Sequence, residues 1–332
     1  MKTALIIGIG GMDGSYMGEL LLSKGYKVFG MERKHSIQTH SNAKHLEDKI
    51  TFLYGDLLDQ DSLLKCLNDS NPDEVYNLAG QSSPAQSWAS PQYASEVNAM
   101  GVLRLLESIR TYNRPIKFFQ SSSSEMFGKI TNNIERCTET TPFFPQNPYA
   151  VSKLFAHSIT KMYREAYNMF NCTAISYNHE SERRGIDFLT RKITNGVAKI
   201  HLGLSDSITL GNIEIKKDWG YSPEFCLAYW LIMQQDKSDD YIVATGKSHS
   251  IKEFLQISFE CVGIYDWEKY IKQDKRYIRP TETNLILGDY SKIKERVNWE
   301  PKISFKDMIE RMVKNDIEIL KNKISKNELI KY

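Results

Sequence analysis

Through the first 180 residues, short apolar runs alternate with amphipathic stretches. Ala4–Ile7 is apolar throughout and is closed by Gly8, which predicts a short buried strand. From Asp13 to Lys24 apolar residues return at helical spacing, with Met17, Leu20 and Leu21 on one face and Gly25 as the stop. Lys27–Met31 and Thr51–Tyr54 read as further strands, the second ended by Gly55-Asp56. Leu63, Leu64 and Leu67 make a helical stripe that Asn71-Pro72 breaks. Glu74–Ala79, Ile116–Gln120 and Thr173–Tyr177 continue the series of strands, and a helix carrying Val102, Leu105, Leu106 and Ile109 separates the first two. Strand, helix and strand in repeated succession predict an α/β fold, a Rossmann-type doubly wound parallel sheet covered on both faces. Such a sheet binds ligands at the carboxyl ends of its strands.

Beyond residue 181 the alternation loosens. Arg191–Leu202 reads as a helix, Tyr241–Ala244 as a strand and Lys306–Lys321 as a terminal amphipathic helix, with the Lys/Asn-rich end frayed. The expected division is a dinucleotide-binding domain over 1–180 and a smaller C-terminal substrate-binding lobe over 181–332, with parts of 214–244 packing back onto the first. No internal repeat or low-complexity linker interrupts the chain.

Composition narrows the function classes. Lys plus Arg number 43 against 41 Asp plus Glu, a net charge of +2, which argues against a nucleic-acid partner bound through bulk charge. The 11% aromatic content excludes a mainly disordered chain. No apolar run is long enough to span a bilayer, and the opening Met1–Ile7 reaches glycine too soon for a signal-peptide core, so neither a membrane nor export is expected and the chain reads as cytoplasmic. Its five cysteines are scattered and form no C-x-x-C pair, against a disulfide framework or thiolate zinc. His35, His40 and His45 recur every five residues, which suits neither a helix nor a strand face; they read as a solvated loop, and no metal is expected.

Gly8-Ile9-Gly10-Gly11-Met12-Asp13-Gly14 lies between the first strand and the first helix. Absent side chains at Gly8, Gly11 and Gly14 permit a tight turn and close approach of a pyrophosphate to the helix N-terminus, with Met12 and Asp13 at the same turn. In this context the loop points to NAD(P). Glu32, ending the second strand, suits the ribose hydroxyl of NAD, whereas Arg33 and Lys34 suit the 2′-phosphate of NADP. Asp56, followed by Leu57, is placed to meet the adenine amino group.

Tyr149 and Lys153 stand four residues apart at the start of a helix and so share a face. A neighbouring ammonium and an oxidised nicotinamide would lower the phenol's pKa toward neutrality and make it a base for a substrate hydroxyl. Ser121-Ser122-Ser123-Ser124-Glu125 follows a strand at the ligand-binding edge. A hydroxyl there can hold the substrate oxygen, and Glu125 can remove a proton acidified by an adjacent ketone. The competing reading is a Ser/Glu helix cap.

These motifs together resemble the extended short-chain dehydrogenase/reductase family, and within it the branch of the GDP-mannose 4,6-dehydratases. The likeness runs along nearly the whole chain. It is carried by Gly8–Leu22 (GIGGMDGSYMGELLL), Pro72–Ser82 (PDEVYNLAGQS), Ser122–Gly128 (SSSEMFG), Pro148–Lys153 (PYAVSK), Asn178–Gly185 (NHESERRG) and Arg276–Glu282 (RYIRPTE). The resemblance implies Ser123, Glu125, Tyr149 and Lys153 as the catalytic set. It places Asn178 and His179 beside the diphosphate and nicotinamide, gives Lys192, Arg279 and Glu282 the GDP end, and puts Ser82 and Lys217 at the substrate. The implied reaction oxidises C4 of a GDP-sugar, removes water across C5–C6 and returns the hydride to C6, giving a 4-keto-6-deoxy sugar. It also implies tightly held, recycled NADP, where Glu32 favours NAD, and a homodimer or homotetramer. Several positions depart from the pattern: Gly10 stands for a threonine, Ser82-Ser83-Pro84 for Ser-His-Val, and Lys217 for an arginine. Lysine lacks arginine's planar fork. Two other readings share the scaffold, a C4 dehydrogenase or epimerase that does without Glu125 and a non-catalytic cofactor-binding subunit.

Overall fold

The computed structural model describes residues 1–34, 41–129, 135–274 and 287–326. Its centre is a seven-stranded sheet. In chain order the first part gives β1 (Thr3–Ile7), α1 (Met12–Ser23), β2 (Lys27–Glu32), β3 (Thr51–Tyr54), α2 (Gln60–Ser70) and β4 (Glu74–Asn77). Two short helices, α3 (Pro84–Ala89) and α4 (Pro91–Ser95), then lead through a π-helical turn, Glu96–Met100, into α5 (Gly101–Arg110). β5 (Lys117–Ser123) and α6 (Pro148–Tyr167) follow. Across the sheet the order is Asp240–Val243, Asn171–Ser176, β5, β4, β1, β2, β3, and every neighbouring pair is parallel. Parallel strands need crossovers, and the helices that supply them cover both faces.

One face packs α1 and the helix Ser222–Met233 on the sheet, with Met17, Leu21, Phe225, Tyr229 and Ile232 buried against Ala4, Ile6 and Tyr76. The other packs α2, α5 and α6 through Leu63, Leu67, Leu105, Leu106 and Ala156. A third cluster lies beyond the sheet, where Ile193, Val197, Phe254, Leu255, Met308 and Met312 join the helices Leu189–His201, Ile251–Glu260 and Phe305–Ser325. Burial of these side chains is the main favourable term for each layer. Ser222–Met233 escapes a periodicity reading because it is apolar on nearly every side, as a helix held between a sheet and further chain should be.

One difference from the expected elements bears on the site. β5 does not stop at Gln120 but runs through Ser121, Ser122 and Ser123, all paired with Asn171–Ser176. The strand Asp240–Val243, within the 214–244 segment expected to pack back, completes the main sheet by pairing with Asn171–Ser176. Among the described residues no helix is long and apolar enough to cross a membrane.

Candidate functional site

Two clefts open along the carboxyl edge of the sheet, of about 360 and about 210 Å³. Both are lined by Asp13, Leu78, Ala79, Gly80, Ser82 and Arg184, so they meet along one wall.

The larger cleft is shaped by missing side chains. Gly8 has φ +89°, and a Cβ on it would lie 2.8 Å from the Ala79 nitrogen. A Cβ on Gly14 would lie 2.1 Å from the Gly8 carbonyl oxygen, so α1 sits directly on the loop. Gly11 is the N-cap and has no side chain to cap with, which leaves the helix's first amides to an incoming anion. Glu32, Arg33, Asp56 and Leu57 form the far wall beside Met12. Arg33 Nη1 donates to the Tyr93 hydroxyl (2.8 Å), which ties the end of β2 to α4. The narrow glycine cradle, the open helix start and a polar far wall fit a dinucleotide. Gly14 lies behind the loop rather than on the cleft, and Lys34 is exposed beside it rather than among the lining residues.

Asp13 serves this cleft from inside. Its carboxylate accepts from Ser222 Oγ (2.6 Å) and from His179 Nε2 (2.8 Å). His179 Nδ1 lies 2.7 Å from the Tyr177 carbonyl oxygen, and the ring stacks on Phe225 at 4.6 Å. With a carbonyl on one nitrogen and a carboxylate on the other, both nitrogens donate, which is the imidazolium pattern. Burial alone would lower the His179 pKa, but the Asp13 charge outweighs it and raises it. Burial likewise works to raise Asp13, and His179 and Ser222 hold it below the usual carboxylate range.

The second cleft carries side-chain chemistry. Asn147 caps α6 by accepting from the Ala150 amide (2.8 Å), and Pro148 opens the helix, which sets Tyr149 and Lys153 on its first turns. Both are buried, and the Lys153 ammonium is 5.9 Å from the Tyr149 ring centroid. Lys153 Nζ donates to the Ser121 carbonyl (2.9 Å) at the end of β5. Burial pushes Lys153 down to about 8. Burial pushes Tyr149 up to about 12, although its hydrogen bond to Ser123 works the other way. The expected fall in the phenol's pKa is therefore not a property of the protein alone. Ser123 Oγ accepts from the Glu125 amide (3.2 Å) and so caps the turn Ser124–Phe127. The cap reading and the cleft reading coexist, because the cap uses only the amide of Glu125. Its carboxylate faces the cleft, with Oε2 accepting from Asn147 Nδ2 (3.2 Å) and Oε1 lying 3.5 Å from Lys217 Nζ.

Of the other sequence candidates, Ser82 lines both clefts, and Asn178, His179 and Lys217 line the second. Lys192, on Leu189–His201, is not on the lining of either. Arg279 and Glu282 lie outside the described residues, as do His35 and His40. His45 pairs with Glu19 at 2.5 Å. Sequence reasoning gave no role to Arg184, which lines both clefts and is held by Glu180 Oε2 (2.7 Å) and the His179 carbonyl. Its signals were the adjacent pair Arg183-Arg184 and its place in the stretch Asn178–Gly185. Tyr93, a single aromatic on a short helix, had none.

A family model described as "GDP-mannose 4,6 dehydratase" matches residues 5–312. The chain is 46% identical over 332 residues to GDP-mannose 4,6 dehydratase 1 of Arabidopsis thaliana, covering 96% of this chain and 91% of that one. It is 39% identical over 346 residues to GDP-mannose 4,6 dehydratase of Homo sapiens, covering 96% and 92%. Among solved structures it is similar to the UDP-glucose 4-epimerase of Thermotoga maritima, with a TM-score of 0.84 at 23% identity over 96% and 99% of the two chains. It also resembles the dTDP-glucose 4,6-dehydratase of Bacillus anthracis, with a TM-score of 0.83 at 21% identity over 98% of each.

Proposed function

The chain belongs to the GDP-mannose 4,6-dehydratase family, and from that premise we propose that its two clefts take GDP-mannose to the 4-keto-6-deoxy sugar. One observation carries the reading: the Glu125 carboxylate shares a cleft with the buried pair Tyr149 and Lys153. An enzyme that only oxidised or epimerised C4 would need the pair and not the carboxylate.

Each residue then has a definite task. Ser123 holds the C4 oxygen and Tyr149 takes its proton, with Lys153 supplying positive charge below the phenol. When bound, an oxidised nicotinamide supplies the two-electron acceptor and a positive charge that helps ionise Tyr149. Glu125 removes the C5 proton that the new ketone has acidified and returns it to the C6 hydroxyl, which leaves as water. The glycine loop, Asp13 and Arg184 are assigned to the cofactor, with His179 beside its nicotinamide. Asn178, Lys192 and Lys217, with Arg279 and Glu282, are assigned to the GDP-sugar. On this reading the first 180 residues bind the cofactor and 181–332 mainly the nucleotide sugar.

Glu32, on the cleft wall, turns the cofactor choice toward NAD against Arg33 and Lys34, since a carboxylate at short range repels a 2′-phosphate. Val151, Phe155 and Met162 form an exposed apolar stripe along α6, a face that suits a second copy of the chain. Five free thiols, four of them buried, suit the reducing cytoplasm.

Incubating the purified protein with GDP-mannose and weighing the sugar nucleotide tests the reaction. The expected product has lost one water and carries a C4 ketone. An oxidised or epimerised sugar with its water intact would replace this reading with the C4 dehydrogenase or epimerase.

A further inference from the structure

In the second cleft Glu125 and Lys217 each have a task in the reaction as described, but the ion pair between them has none. Lys217 Nζ stands 3.5 Å from Glu125 Oε1, with the two side chains 21% and 12% exposed. Lys217 belongs to the strand Lys216–Lys217, which pairs antiparallel with His249–Ser250. The next residue, Asp218, is buried, and its carboxylate accepts from the Thr245 amide (3.0 Å), the Thr245 hydroxyl (2.6 Å) and the Gly246 amide (2.8 Å). The backbone that delivers the ammonium is thus fastened on both sides. Asn147, at the head of α6, fixes the other carboxylate oxygen.

We infer that Lys217 is a positioning residue for the elimination step, acting through Glu125, whose Oε1 it faces while Asn147 holds Oε2. This rests on the dehydratase reading above. In that step Glu125 must serve twice. The C5–H bond breaks, the proton passes to Glu125, and the electron pair it leaves is held as the enolate of the C4 ketone. That pair then forms C5=C6 as the C6–O bond breaks, and the departing hydroxyl takes the proton from Glu125 and leaves as water. An adjacent ammonium stabilises the carboxylate over the carboxylic acid. It therefore slows the first transfer and speeds the second. The balance matters because a hydroxyl is a poor leaving group until it is protonated. Oε1, on the looser of the two contacts, is the oxygen that takes the proton, and Oε2 stays with the Asn147 amide.

The groups around Glu125 agree with this assignment. From α6 it faces Tyr149, whose ionisation its charge opposes, and from the Lys216–Lys217 strand it faces Lys217. Lys153 and Arg184 line the same cleft farther round. Lys217 is thus the cation in contact with the carboxylate, and its removal changes the Glu125 environment by one charge.

The test follows two rates in heavy water with GDP-mannose and the cofactor-loaded protein: deuterium entering C5 of recovered sugar, and release of dehydrated product. For Lys217→Gln the ratio of C5 exchange to dehydration is expected to rise about tenfold, the lower end for loss of an opposite charge at contact. Lys217→Arg should restore it. If Lys217→Gln raises the KM for GDP-mannose while the ratio stays put, Lys217 is a substrate ligand alone and the inference falls. Wild-type protein that releases no dehydrated sugar would overturn the dehydratase reading and this inference with it.

Discussion

The two clefts lie side by side on one sheet edge, and they are built on opposite principles. The larger is made by subtraction. Gly8 and Gly14 leave room where any side chain would collide, a Cβ on Gly11 would sit 3.2 Å from the Gly8 carbonyl oxygen, and the open groups of the helix start are backbone amides. The smaller is made by burial of groups that would be more stable in water, Lys153 and Tyr149 above all. The first should tolerate changes in side-chain chemistry on its rim but no added volume at the loop. The second should tolerate modest changes of shape but no change in which atoms carry protons.

The sharpest way to break that contrast is at Tyr149. Tyr149→Phe keeps the ring and removes the proton acceptor for C4, so turnover should fall by about 10⁴-fold, the upper end for a positioned base. A variant that still turned over normally, measured by product mass, would remove the oxidation step from Tyr149. Glu125→Gln comes next, with dehydration down about 10²–10³-fold while GDP-mannose still reduces the cofactor. The readout is nicotinamide absorbance, together with a 4-keto sugar that retains its 6-hydroxyl. Normal dehydration here would reduce Glu125 to the cap residue it also is.

Gly14→Ala tests the subtractive cleft. Its Cβ would sit 2.1 Å from the Gly8 carbonyl oxygen, so α1 must shift away from the loop. Cofactor affinity, read by titrating the emptied protein, should fall about 10²-fold, the usual cost of a displacement near 1 Å. Unchanged affinity would separate the loop from the cofactor.

Lys153→Met should make the emptied protein more stable and inactive. The folded value of about 8 lies below the ordinary 10.5, so the burden of burying the charge is complete below pH 8 and fades as the pH rises toward 10.5. Taken at face value the gap corresponds to about 3 kcal/mol at pH 7. The Ser121 carbonyl keeps a donor in Gln120 Nε2 (2.8 Å), so the substitution orphans no acceptor there. Urea melts at neutral and alkaline pH should show the gain at the first and its loss at the second. A gain that did not depend on pH would mean the lysine is not held against its charge. Glu32→Gln should have the smallest effect, a shift of about threefold in the NADP to NAD affinity ratio toward NADP, as for removing a largely solvated repulsion. No shift would free Glu32 from any part in cofactor choice.

Legibility in the sequence followed the physics of each element. β1, β2 and β4 were readable because mainly buried parallel strands are short, largely apolar runs, and β3, the half-exposed edge strand, was readable by the Gly55-Asp56 that ends it. The end of β5 was not. Ser121, Ser122 and Ser123 are polar because they face a cleft and a neighbouring helix, yet they keep their ladder pairs. The small strands Asn178–Glu180 and Trp219–Tyr221 span too few residues for a period, although they bring His179 and the Asp218 anchor together. At the site, Tyr149, Lys153 and Glu125 were found through their spacing and their place on the sheet edge. The Asp13–His179 pair depends on a contact across 166 residues of sequence, a distance no local pattern spans.

The late arrival of the strand Asp240–Val243 also has a bearing on the chain's synthesis. Its partner, Asn171–Ser176, is buried on both faces and has only β5 beside it until residue 243 is made. At ~5–20 residues per second, the roughly sixty intervening residues leave that edge unpaired for several seconds on each nascent chain. An open strand edge is a template for any other strand. Crowded ribosomes translating one message would hold several such edges close together, so yield in overexpression should depend more on elongation rate and temperature than on the stability of the finished fold.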